Sequence, residues 1–332
     1  MKAPLIAAAL LLMPAQALAW GSSGHRMVGE SAMQALPGEV PAFLRNAQAV
    51  RDVGELSREP DRSKGAGRIH DHNRDAAHFL DLDEDGKILG GPSFLPLPPT
   101  RADYEKGLQT AGLDSWKAGY LPYAIIEQHQ QLTKDFGYWR VLSYMAAREK
   151  DRVRKAWYVR DLARREALIL GAIGELSHYV GDGAQPLHVT VHYNGWGEFP
   201  NPEGFTRARI HGPFEGDIVF AGVKPADVSS KMTPLKSCDC PIEQRTVDYL
   251  GETATQVIPL YRLEKAGGLA SGDPRGAAFA AERLAVGASE LRDMIVSAWR
   301  ASPRATVGWP ALRVEDVLAG KADPYDSLYG RD

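Results

Sequence analysis

The segment Asp161–His188 decides the fold, and it reads DLARREALILGAIGELSHYVGDGAQPLH. Four of its aliphatic residues recur at helical spacing: Ile169, Ile173, Leu176 and Val180. This periodicity predicts a long helix over about 161–182. Leu168, Leu170 and Ala172 widen the apolar stripe, so we expect most of this helix to be buried.

The same helix carries polar side chains, which need a hydrogen-bond partner or a metal ion when they are buried. His178 and Asp182 are four residues apart and therefore project from one face, and Glu175 extends this polar stripe. The partner of such a stripe is either an arginine or backbone group, or a metal ion. His188 follows just beyond the predicted end of the helix and adds a third side chain of the metal-ligand type.

Further imidazole and carboxylate groups occur in three other segments. His211 and Glu215 form a second pair at helical spacing, Asp61 stands in EPDR, and His78 stands in AAHFLD. Such groups without thiolates are typical of catalytic rather than structural zinc sites. Each pattern alone also fits an ordinary hydrogen-bonded pair, and only their joint occurrence favours metal binding.

Residues 1–19, MKAPLIAAALLLMPAQALA, have the pattern of a secretory signal peptide. Cleavage after Ala19 would free the α-amine of Trp20, whose pKa of about 8 lets a metal ion displace its proton. The amine and carbonyl oxygen of Trp20 would then chelate an ion, with His25 close by in the chain. The alternative is that Trp20 is only an early core residue. We expect a secreted or periplasmic protein with a single mature domain over residues 20–332.

The remaining pattern favours an all-α fold with long loops around the polar cluster. Helices are predicted over about 23–36, with Ser22 or Ser23 as the cap, and over about 276–301. A short hairpin is predicted near 78–89, and irregular loops over about 90–100 and 193–204. The formal net charge of −3 argues against a protein that coats duplex DNA through many phosphate contacts.

Several other motifs admit more than one interpretation. Cys238 and Cys240 could form a tight disulfide staple, remain free thiols or supply half of a metal site. The run DLDEDG from Asp81 begins like a calcium loop but lacks the glutamate at its twelfth position, which favours a polar turn. His129 is expected to face solvent, and His192 to donate to a ligand carboxylate. Three aromatic residues could line a substrate groove or pack within their own loop: Tyr193, Trp196 and Phe199.

Together these segments resemble the superfamily of three-zinc phosphodiesterases. It comprises zinc-dependent phospholipase C and the single-strand-specific nucleases of the S-one/P-one type. The resemblance extends from Trp20 to at least Glu215 and rests on four motifs: WGxxGH, HFxD, HYxGDxxQPxH and HxxxE. The third of these motifs is the most specific.

The resemblance implies three zinc ions in a mainly helical domain. One ion would be held by Asp61, His78, His178 and Asp182. A second would be held by His188, His211 and Glu215. The third would be held by the amine and carbonyl of Trp20, by His25, and by Asp182 as a bridge to the first. Asp61 would also orient the attacking water or take its proton, while Phe79 and Asp81 fall where the nuclease branch stacks and hydrogen-bonds a base.

The resemblance predicts an exported zinc hydrolase that cuts single-stranded DNA and RNA, with removal of terminal 3′-phosphates as a second activity. The spacings Trp20–His25 and His188–His211 are similar to the nuclease branch, whereas Glu215 is similar to the phospholipase branch. One alternative is therefore a phospholipase C that acts on phosphatidylcholine-like lipids. The other is an exported zinc-binding protein without catalysis. Neither a stable membrane anchor nor a protein partner is implied.

Overall fold

The long predicted helix spans Arg152–Ala184 in the computed structural model, which describes residues 20–238 and 240–330. It begins earlier than predicted because the Asp151 side chain accepts hydrogen bonds from the backbone N–H groups of Val153 and Arg154. Four of the nine residues from Arg152 to Arg160 are charged, and Val153 and Val159 are exposed, so no apolar stripe marks this part of the helix.

Helices make up most of the described residues. In chain order, the α-helices are α1 (Gly21–Gln34), α2 (Ala47–Leu56), α3 (Glu59–Arg62), α4 (Arg68–Arg74), α5 (Arg101–Thr110), α6 (Ser115–Ala118), α7 (Leu121–Arg148), α8 (Arg152–Ala184), α9 (Val219–Gly222), α10 (Pro225–Ser229), α11 (Ile242–Ala254), α12 (Val257–Lys265), α13 (Pro274–Ala301), α14 (Val314–Leu318) and α15 (Tyr325–Tyr329). The 3-10 turns are Ala42–Arg45, Asp75–His78, Pro186–His188 and Ser302–Arg304, and a π-helical turn covers Pro213–Ile218.

Extended structure is limited to one small sheet within the described ranges. Strands β1 (Thr306–Val307) and β2 (Leu312–Arg313) pair antiparallel, with Thr306 opposite Arg313. The chain therefore folds as a single mainly helical domain, and the predicted all-α class is confirmed.

Helix α8 lies at the centre of the domain and packs against α1, α2, α7 and α13. The predicted apolar stripe, represented by Ile169 and Val180, is completely buried. Leu170 and Ala172 are partly buried against the core, as expected, whereas Leu168 is 55% exposed. It lies about 100° around the helix axis from Ile169, which takes it off the packed face.

Two further helices match their predictions closely. Helix α13 carries its expected buried face, including Leu284 and Ile295. Helix α1 begins at Gly21, and its cap is Trp20 rather than a serine side chain. The backbone of Trp20 turns into the helix at φ 34°, and its carbonyl accepts a hydrogen bond from the Gly24 N–H.

The predicted hairpin near 78–89 is present only as a short one without regular strands. Leu82 pairs antiparallel with Ile88, the Asp83 N–H donates to the Lys87 carbonyl at 2.9 Å, and the Leu89 N–H donates to the Asp81 carbonyl at 3.0 Å. The segment before it is a 3-10 turn, Asp75–His78. The Asp83 carboxylate accepts hydrogen bonds from the N–H groups of Asp85 and Lys87, which makes the acidic run a polar turn.

The two cysteines, Cys238 and Cys240, are joined in a disulfide, which agrees with the staple interpretation. Within the described part of the chain, no helix is both long enough and apolar enough to cross a membrane. The predicted signal peptide, residues 1–19, lies outside the described residues, so export remains a prediction.

Close helix packing on α8 can be tested at two glycines. A Cβ atom added at Gly174 would lie 2.5 Å from the Leu56 Cβ and 3.1 Å from the Leu56 carbonyl oxygen. We expect Gly174→Ala to lower the free energy of unfolding by about 1–3 kcal/mol, because the end of α2 must move aside. The measurement is urea denaturation followed by circular dichroism.

Gly171 provides the matched control on the same helix. No described atom outside the helix backbone lies within 4 Å of a Cβ added there. Gly171→Ala should therefore raise the free energy of unfolding by up to about 1 kcal/mol through its higher helix propensity. Equal effects of the two substitutions would contradict the packing described here.

Candidate metal centre

Polar side chains from several segments converge at the C-terminal end of α8. His178 and Asp182 are completely buried there, and the ring of His25 from α1 stacks on His178 with centroids 3.9 Å apart. The other contributions are Asp61 from α3, His78 and His188 from their 3-10 turns, Glu215 from the π-helical turn, and His211 just before it. Because a helix C-terminus carries partial negative charge, this end of α8 favours cations.

Three groups of these side chains could each hold a metal ion, since their ligand atoms lie within 4.8 Å of one another. We call them by one member each: the His25 group (His25, Asp61, His178), the His78 group (His78, His178, Asp182) and the His211 group (His188, His211, Glu215). The His211 group is the set predicted from the sequence. His178 is shared by the other two groups, and Asp61 clusters with His25 rather than with His78.

Asp182 faces both of the groups that share His178. One of its carboxylate oxygens lies 3.0 Å from His78 Nδ1 and 3.3 Å from His178 Nε2. The other oxygen lies 3.5 Å from His25 Nε2. A carboxylate with its two oxygens turned toward two groups has the orientation expected of a bridge between them.

Trp20 adjoins the same turn of α8. Its indole N–H donates a 2.6 Å hydrogen bond to the carbonyl of Gly181, and its ring packs on Phe214 with centroids 5.6 Å apart. The side chain is completely buried, as expected of a core residue. Its backbone amine as a ligand remains a prediction, since the residues before it lie outside the described part.

Backbone carbonyls fix which nitrogen of each ring points inward. The Nδ1 atoms of His178, His188 and His211 lie 2.8, 2.6 and 2.8 Å from carbonyl oxygens, which belong to Ser57, His78 and Tyr193. A carbonyl can only accept, so each Nδ1 carries a hydrogen and each Nε2 is turned toward the neighbouring polar groups. The Nε2 atoms of His188 and His211 are only 3.1 Å apart. Because two facing lone pairs would repel each other, this contact needs a proton or a metal ion between the two nitrogens.

Several buried polar atoms here lack a hydrogen-bond partner among the described residues. They are both ring nitrogens of His25, one oxygen of Asp182 and one oxygen of Glu215. Leaving such groups unsatisfied away from water is unfavourable, most of all for a charged carboxylate. Metal ions would satisfy these atoms, so the donor set fits divalent cations that bind nitrogen and oxygen.

The pKa shifts favour the ligand forms of these residues. Burial and the neighbouring His178 lower the pKa of His25 to about 3, and burial with Lys64 lowers that of His78 to about 4. Burial alone would raise the pKa of Asp182, but His178 and His188 hold it well below its usual range. Neutral imidazoles and an ionised carboxylate are the states that coordinate metals.

His188 differs from the other rings. Burial acts to lower its pKa, but Asp182 and Glu215 outweigh this and raise it to about 9. The carboxylates therefore attract a positive charge into the His211 group, which a proton or a metal ion can supply.

A cavity of about 630 Å³ adjoins these groups. Its wall includes the ligand candidates His78, His188 and His211, together with the predicted substrate residues Phe79 and Asp81. A volume of this size suits a small ligand or one part of a larger substrate.

The structure adds residues that the sequence did not single out. Lys64 lies 2.6 Å from Asp61 and lines the cavity. Its position three residues after Asp61, one helical turn away, could have indicated that the two side chains pair. Trp116 and Lys117 also line the cavity, although nothing near them in the chain pointed to the site.

The expectations for His129 and His192 are wrong, and the structure decides between the two alternatives for the three loop aromatics. His129 is buried rather than solvated, because α13 covers it and Ser297 bonds its ring at 2.8 Å. His192 contacts Glu84 at 2.7 Å and not a ligand carboxylate. Trp196 stacks on His192 at 3.7 Å and is buried, so it does not line the cavity, whereas Tyr193 does. Phe199 also packs on His192, with ring centroids 5.0 Å apart.

Comparison of the chain with protein-family models and with curated proteins finds no match. The case for this centre therefore rests on its three buried groups of histidine and carboxylate side chains, which could hold metal ions.

Metal content can be tested with a matched pair of histidine substitutions. His211→Ala should reduce the bound divalent metal by about one equivalent, because the His211 group then keeps only two side chains. His129→Ala removes a buried histidine outside the groups and should leave the metal content unchanged. Mass spectrometry of metal in the protein after gel filtration measures both. Unchanged metal content in His211→Ala would refute the assignment of that group.

Proposed function

We propose that the protein is an exported, zinc-dependent phosphodiesterase that hydrolyses single-stranded DNA and RNA. The observation that carries the proposal is the arrangement of the three groups. Two of them share His178, the third lies beside them, and a cavity adjoins them. Nitrogen and oxygen ligands without thiolates are typical of zinc in catalytic sites.

Hydrolysis of a phosphodiester is slow because the diester and the nucleophile are both anionic and the leaving oxygen is poor. Zinc ions, when bound, lower the pKa of water and neutralise phosphate charge. The protein then has to orient the water, accept its proton and hold the substrate in line.

Asp61 is suited to orient the water and accept its proton. Burial alone would raise its pKa, but His178 and Lys64 lower it below its usual range, so the side chain is a carboxylate at neutral pH. Lys64, beside it in the cavity wall, would hold a phosphate oxygen while Asp61 faces the reacting water.

Phe79 and Asp81 are suited to bind a base. Both line the cavity next to His78, and the Phe79 ring is only partly buried, which leaves a face for stacking. Burial raises the pKa of Asp81 to about 8 against the opposing effect of His188, so at neutral pH this side chain is a neutral acid that can donate a hydrogen bond.

A phospholipase C that acts on phosphatidylcholine-like lipids is the second candidate. Its support is the set of aromatic rings around the cavity, Phe79, Trp116 and Tyr193, which together with a carboxylate could surround a choline group. Lys64 and Lys117 in the same wall oppose a cationic headgroup and favour the anionic strand of a nucleic acid. The cavity beside the groups favours catalysis over zinc storage alone, because it gives a substrate access to His78, His188 and His211.

The substrate can be tested with zinc-loaded protein that starts at Trp20. We expect rapid, chelator-sensitive cutting of single-stranded DNA and RNA, and no release of phosphocholine from dispersed phosphatidylcholine. His178→Ala should lower nuclease turnover at least 100-fold, because two groups lose a shared ligand. His129→Ala is the control and should cut at the wild-type rate. Turnover of the lipid alone would refute the nuclease proposal.

The raised pKa of Asp81 leads us to expect that substrate binding depends on pH. Below about pH 8 its carboxyl is protonated and donates to the base, and above that pH the donor is lost. The KM for single-stranded DNA should therefore rise as the pH increases from 7 to 9. Asp81→Asn keeps a donor at every pH and should flatten this rise. A KM profile that is identical in both proteins would contradict the role of Asp81.

A further inference from the structure

Trp116, like Tyr193, is an exposed aromatic residue in the wall of the cavity. Its side chain is 39% exposed, and it lines the same cavity as Phe79 and the His211 group. A large exposed indole next to a polar centre suggests contact with a ligand rather than ordinary surface.

The short helix α6 is tied to the strip of chain that carries Phe79 and Asp81. The carbonyl of Ala118 accepts a 3.0 Å hydrogen bond from the Asp81 N–H. Gly119 has a φ of 76° and lies so close to the Phe79 carbonyl that no larger residue fits. Trp116 is therefore held in a fixed position relative to the predicted base-binding residues.

His72 of α4 supports the indole of Trp116 from one side. The two rings are stacked with centroids 4.8 Å apart and an angle of 25° between their planes. This contact restricts rotation of the indole while the side chain continues to line the cavity. Such a preorganised aromatic surface loses little conformational entropy when a flat ring stacks on it.

Lys117 adds a positive charge beside the indole. Its side chain is exposed, lines the cavity, and forms no ion pair with any described residue. An aromatic face with an adjacent free cation matches one nucleotide, because the base can stack while the phosphate pairs with the ammonium group.

We infer that Trp116 and Lys117 form a second nucleotide subsite, in which Trp116 stacks a base next to the one bound at Phe79 and Lys117 contacts a phosphate of the same strand. This inference rests on the proposed nuclease function and extends it from one nucleotide to two. Two bases can reach separate aromatic surfaces only if they are unstacked, which a single strand allows and a duplex resists.

The test compares Trp116→Leu with Trp309→Leu. Trp309 is a matched control because its side chain is 85% exposed and does not line the cavity. The zinc-loaded proteins are titrated with a fluorescent hexathymidylate whose phosphorothioate linkages slow cleavage, and binding is followed by anisotropy. Trp116→Leu should weaken binding roughly 5- to 20-fold. Trp309→Leu should bind like the wild type, and Trp116→Phe should recover most of the loss.

A second arm identifies stacking as the cause. The bases of the hexathymidylate are removed one at a time. For the wild type, one of these abasic strands should bind distinctly more weakly than the others. That penalty should disappear in Trp116→Leu, whereas a purely structural role of the indole would leave it unchanged. Equal affinity of Trp116→Leu and wild type for the intact strand, or an effect of Trp116 only on phosphatidylcholine vesicles, would overturn the inference.

The binding result is separate from the proposed activity. If the wild type cuts single strands but Trp116→Leu binds them equally well, the subsite is refuted and the nuclease proposal stands. If the strand binds through Trp116 but is not cut, the subsite stands and the nuclease proposal fails.

Discussion

Two imidazole nitrogens that face each other at 3.1 Å need a positive charge between them, either a proton or a metal ion, and the arrangement of the whole centre depends on that constraint. His188 and His211 each donate Nδ1–H to a backbone carbonyl, so both turn Nε2 toward the other. Asp182 and Glu215 add negative charge to the same region. Since none of these four side chains is more than 5% exposed, a bound cation is the natural counterpart of their negative charge.

The carbonyls that orient the rings come from irregular parts of the chain. Ser57 ends α2, and Tyr193 belongs to a long loop without regular structure. Their contacts with the rings make the loops and the candidate centre depend on each other. The loops are held in place by hydrogen bonds to the histidines, and the histidines are held in one orientation by the loops.

The sequence could predict only those features that depend on residues close together in the chain. Helix geometry alone places His178 with Asp182 on one face, so this pair could be predicted from the sequence. Burial of His129 depends on Ser297 of α13, and the partner of His192 is a loop glutamate, so neither could be inferred from local pattern. Trp116 and Phe79 line one cavity because backbone hydrogen bonds, such as that from the Asp81 N–H to the Ala118 carbonyl, join their segments, and no periodicity in the sequence indicates this.

His78 takes part in the centre twice. Its side chain belongs to the His78 group. Its backbone carbonyl accepts the 2.6 Å hydrogen bond that orients His188 in the His211 group. The two groups therefore share one rigid element and cannot be adjusted independently. In evolutionary terms, drift in the backbone at this position would be selected against at two sites at once, which leaves the short turn Asp75–His78 little freedom to diverge.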